Sequence, residues 1–139
     1  MAERISLNTG MKTFEIYDLE ENFLGTFRFV PTDTDITRKY KEVKSYLMSI
    51  TDELTGEDSI ELLDEVNGKI REKMDYLFNA PVSESFFRYA APLTLLDTGE
   101  SYVAHILDVL GQIIQKETLV REEKQQKIMQ AYTAKYEKQ

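Results

Sequence analysis

The chain contains no cysteine. That excludes disulfide scaffolds, thiolate catalysis and Cys-ligated zinc, and it fits a reducing compartment. Histidine occurs once, at His105, so no His-pair metal site exists, and there is no G-x-S-x-G elbow to set a nucleophilic serine. His105 falls beside Ile106 at the margin of an apolar stripe and is read as a structural or exposed side chain. The six glycines are scattered without phosphate-cradling spacing. No apolar run is long enough to span a bilayer, and MAERISLNTGMKTF carries no apolar signal-like core, so a soluble, cytoplasmic protein is expected. Positive charge is also short: the formal net charge is −8, which argues against bulk phosphate or nucleic-acid binding.

Two acidic features invite a chemical reading and resist it. Asp33-Thr34-Asp35 begins like a calcium loop, but Arg38 holds the place of the required glycine and Lys44 that of the bidentate glutamate. Helix capping accounts for these residues better. Asp52/Glu53 and Glu122/Glu123 are adjacent in sequence, so each pair points to two helix faces and forms no acid–base dyad. No cofactor, metal or catalytic constellation is expected, and the chain is not read as an enzyme.

What is present is amphipathic pattern. Thr13 to Val30 is the one β signal. Phe14 and Ile16 alternate with Glu15 and Tyr17, and Phe27 and Phe29 alternate with polar neighbours. Glu20-Glu21-Asn22 supplies the turn and Gly25 marks a bulge. Phe14, Ile16, Phe27 and Phe29 form the expected buried face. Pro31 closes the second strand, and Thr32, Asp33 and Thr34 offer caps for a helix whose seam is Ile36, Tyr40, Val43, Leu47, Ile50 and Leu54. After Thr55-Gly56, Asp58 with Glu61 reads as a capping box. It opens a second helix with the stripe Ile60, Leu63, Val66 (or Asn67), Ile70, Met74, Leu77 and Phe78. The short link makes these two an antiparallel pair.

Ser83 then caps a short helix over Glu84 to Ala90 or Ala91, and Asp97-Thr98-Gly99-Glu100 opens the last one, with the stripe Val103, Ile106, Leu110, Ile113 and Ile114. The expected fold is mainly α (α+β): an N-terminal β-hairpin packed on three long helices and one short one. Residues 1–12 are read as a flexible N-terminus, 13–120 as a single domain, and 121–139 as a projecting or frayed helical end.

Two stretches are candidate partner-binding surfaces. Phe86, Phe87 and Tyr89 crowd one turn, more than one helix face can bury, so one of them should stay accessible; plugging one end of the bundle is the competing reading. Ile128, Met129, Tyr132 and Tyr136 form an apolar stripe on the projecting end, suited to a helix-in-groove or oligomer contact. From Lys116 onward bases outnumber acids, so head-to-tail self-association or contact with an acidic partner is open beside the reading of a solvated mixed-charge helix.

The order of a short F-x-I hairpin, capped helices of the form I-x-x-x-Y-x-x-V-x-x-x-L, then IREKMDYLF, an aromatic-bearing turn led by Pro and Ser, and a final helix trailing into Glu, Lys and Gln resembles the small tail assembly chaperones of long-tailed bacteriophages and prophages. The likeness runs over roughly Thr13 to Ile128. It implies a non-enzymatic protein that coats the tape-measure protein in the host cytoplasm, keeps it soluble and helps tail-tube subunits polymerise around it, with homo-oligomerisation a further expectation. The alternatives are a structural tail component, or a small acidic regulator of a host factor.

Overall fold

The computed structural model describes residues 1–137. Two strands, β1 (Lys12–Tyr17) and β2 (Phe23–Phe29), form an antiparallel hairpin, followed by α1 (Thr34–Glu53), α2 (Ile60–Phe78), α3 (Ser83–Phe86) and α4 (Tyr102–Glu137). The mixed architecture of hairpin plus helices is therefore the one the patterning implies.

The hairpin turns on Asp18. Its carboxylate accepts the backbone N–H of Glu20 and Asn22, both at 2.9 Å, and Glu21 takes the left-handed conformation at φ 67°. Ile16 pairs with Gly25 and Tyr17 with Phe23, so the bulge falls on Leu24, one residue before the expected glycine. The extra residue swings the Leu24 side chain inward, where it is buried. Phe27 and Phe29 are buried, while Phe14 and Ile16 are half-covered. Phe27 is the hub: its ring lies 5.1 Å from Phe14, 5.4 Å from Phe78 and 5.1 Å from Phe86. Such pairs add roughly 0.5–1.5 kcal/mol beyond area burial.

Asp33 caps α1 through the N–H of Asp35. Antiparallel pairing of α1 and α2 shows in their side-chain contacts: Lys39 reaches the Tyr76 carbonyl, the Tyr76 hydroxyl donates to Glu42, and the Lys73 ammonium lies 4.4 Å from the Tyr46 ring centre. Of the α2 stripe, Val66, Ile70, Met74, Leu77 and Phe78 are buried, and Asn67 accepts the N–H of Leu93 at 2.9 Å.

Three element starts differ from expectation. Ser59, not Asp58, caps α2, its hydroxyl accepting the Leu62 N–H. The helix thus begins one residue later, and Ile60 in its first turn is 81 % exposed. The short helix is a single turn with no side-chain cap, because the Ser83 hydroxyl turns back to Asp75. Residues 97–100 form a tight turn instead of a helix start: Leu96 N–H bonds Glu100, Gly99 adopts φ 91°, and Leu95 bridges Ser101. Ser101 then serves α4 with its hydroxyl on the Ala104 N–H.

Candidate functional site

The final helix belongs to the body at one end and to solvent at the other. Val103, Ile106, Leu107 and Leu110 are buried against the rest of the core. Tyr102 anchors the start: its hydroxyl donates to the Phe86 carbonyl at 2.6 Å, and burial pushes its pKa up. Close approach to α1 depends on Gly111, where an added Cβ would stand 2.5 Å from the Tyr40 hydroxyl. Burial, and secondarily the charge of Asp108, raise the Tyr40 pKa.

Where α4 leaves the body, Arg121 closes the seam. It donates to the Gly10 carbonyl and to the Thr32 hydroxyl, both at 3.0 Å, and pairs with Glu117. Glu117 also holds Lys12, and hydrogen bonding from that ammonium is the main reason its pKa is lowered. The residues before β1 are thereby tied down at Gly10. Residues 1–9 carry no regular structure and are exposed.

Beyond Arg121 every described side chain of α4 is exposed through residue 136. Thirty-six residues make a rod of about 54 Å, longer than the body can cover. Ile128 (71 % exposed), Met129, Tyr132 and Tyr136 stand on this overhang. The rings of Tyr132 and Tyr136 approach to 4.7 Å and their hydroxyls share a hydrogen bond. The stripe is pre-arranged, apolar and wet.

The other candidate cluster divides. Phe86 and Phe87 lie in the core, so as a surface expectation they are corrected: the chain pulls both inward by placing them at and just after the single turn of α3, over Phe27 and Tyr102 respectively. Tyr89 alone remains outside, 72 % exposed. One accessible ring out of three was the expectation, and Tyr89 is that ring.

A surface that the patterning did not single out is an apolar groove of about 350 Å³ between the hairpin and the first half of α4. Ile16 and Tyr17 form one wall, Ile106, Val109 and Ile113 the other, and Phe27 part of the floor. Its charged lining is Glu15 and Asp18, with His105 at the α4 side. Hydrogen bonds from Asn22 lower the Asp18 pKa, keeping that carboxylate ionised, and Tyr17 donates to Glu15 at 2.8 Å. The signal was present: Val109 falls between Ile106 and Ile113 of the core stripe at three- and four-residue steps, making the apolar arc of α4 too broad for one neighbour.

Among the described residues, no group of three or more His, Cys, Asp or Glu side chains is placed to hold a metal ion, and no helix is long and apolar enough to cross a membrane. No protein-family model matches this chain, and no curated protein or solved structure is significantly similar to it.

Proposed function

We propose that this chain is a non-enzymatic assembly chaperone of a long-tailed phage or prophage, holding the helix-rich tape-measure protein in the host cytoplasm and passing it to tail-tube subunits. The observation that carries the reading is the overhang: four large apolar side chains, Ile128, Met129, Tyr132 and Tyr136, aligned along a helix that has left its own core. A solvent-exposed apolar stripe of this kind binds an amphipathic partner through helix-on-helix packing. The negatively charged body keeps a complex with an apolar client in solution. The resemblance in element order supplies the client's identity.

Co-expression with a very long, helix-rich tape-measure protein of a long-tailed phage tests this. The client should stay soluble with the native chain and precipitate with Ile128→Glu/Tyr132→Glu. A client equally insoluble, or equally soluble, with and without the chain overturns the reading.

A further inference from the structure

We propose that the α4 stripe of one copy docks in the hairpin–α4 groove of a second copy, joining chains head to tail. This contact is between copies of the chain and does not depend on the chaperone reading.

Geometry makes the contact intermolecular. Val109 in the groove and Tyr132 in the stripe are separated by twenty-three residues of one continuous helix, about 35 Å. A chain cannot bend its own stripe into its own groove. Dimensions agree between the two parts. The α4 wall of the groove runs from Tyr102 to Ile113, about 17 Å, and the stripe from Ile128 to Tyr136 covers about 12 Å.

Charge decides the occupant. Of the 17 bases and 25 acids, eleven and twenty-one precede Lys116, leaving that part at −10 and the remainder at +2. The groove offers the carboxylates of Glu15 and Asp18. On the helix, Lys124 and Lys135 fall four residues before and seven after Ile128, on its own side. Apolar stripe meets apolar groove while ammonium groups meet carboxylates, an arrangement that steers and registers the contact. A stripe-to-stripe pair would set against each other two segments of mixed charge with a slight positive excess, Glu122, Glu123 and Glu137 among four lysines, and so gains less from charge.

Groove and stripe are different surfaces, so the contact is heterologous and builds rings or open chains, not a closed pair. Two variants at exposed positions separate the halves. Val109→Lys places a cation in the groove, and Ile128→Glu/Tyr132→Glu places anions on the stripe; both keep good helix formers. By sedimentation velocity, the wild type should form species larger than a dimer as concentration rises, and each variant alone should be monomeric. An equimolar mixture should yield a complex of two chains and nothing larger, since only one functional groove and one functional stripe remain. Circular dichroism confirms that each variant is folded, and Tyr17→Lys on the opposite wall replaces Val109→Lys if it is not. The proposal is overturned by a wild type that stays monomeric at about 1 mM, by either variant associating alone, or by a mixture that remains monomeric.

Discussion

The Tyr40 hydroxyl donates to the Leu107 carbonyl at 2.8 Å and occupies the space that a side chain at Gly111 would need. The crossing of α1 and α4 is thus set by one phenol and one missing methyl group. Gly111→Ala should destabilise the fold by up to about 2 kcal/mol. The displaced hydroxyl and its lost partner cost about 1–3 kcal/mol, and the roughly 1 kcal/mol of helix propensity gained offsets only part of this. In a Tyr40→Phe background the same change should be neutral or stabilising. Urea denaturation of the four proteins in this cycle checks both statements, and additive effects would disprove the coupling.

Asp75 joins the end of α2 to α3 by accepting the Ser83 N–H at 2.8 Å and its hydroxyl at 3.0 Å. Asp75→Ala leaves the half-buried N–H without its acceptor and should cost about 1–3 kcal/mol. Ser83→Ala, which keeps the backbone bond, should cost less. Equal losses in thermal melts would show that the hydroxyl, not the backbone bond, carries the link.

Acid should loosen the seam at Glu117. Its folded pKa is depressed, chiefly by the hydrogen bond from Lys12, below the ordinary value of 4.5. The stabilisation it contributes is therefore complete above that ordinary value and disappears as pH falls through the lower folded one. Asp18, depressed by its bonds from Asn22, acts in the same direction. Glu117→Gln should flatten the dependence of stability on pH below about pH 4.5 while leaving the slope at neutral pH unchanged. An unaltered acid limb would rule this contribution out.

Removing residues 122–139 should leave the melting temperature nearly unchanged, because no described side chain after Arg121 is buried. Cutting after Glu117 also removes Arg121 with its bonds to Gly10 and Thr32, and should speed amide exchange around Gly10. Global unfolding on the shorter cut at residue 121 would mean that the overhang packs on the body.

The period of apolar residues made most of this architecture readable. Val43, Leu47, Ile70, Met74 and Leu110 are buried where a helical stripe places them, and Phe27 and Phe29 follow strand alternation. Element starts were less legible. Ser59 lies beside Asp58, and Ser101 lies near the cap-like run 97–100; several adjacent residues carry capping oxygens, and only tertiary contacts choose among them. Phe86 and Phe87 were ambiguous for a related reason: a one-turn helix has no face, so its neighbours decide what is covered. The groove was obscured because each wall reads as core on its own element, and only their juxtaposition leaves a trough.

Between Gln112 and Glu137, α4 contains neither glycine nor proline, so it has no built-in joint where it leaves the body. Its root is clamped by Tyr102 and its exit by Arg121. The outer turns therefore behave as a lever with a fixed bearing: whatever grips the tip inherits an orientation dictated by the interior, and a load applied there is felt at Val103.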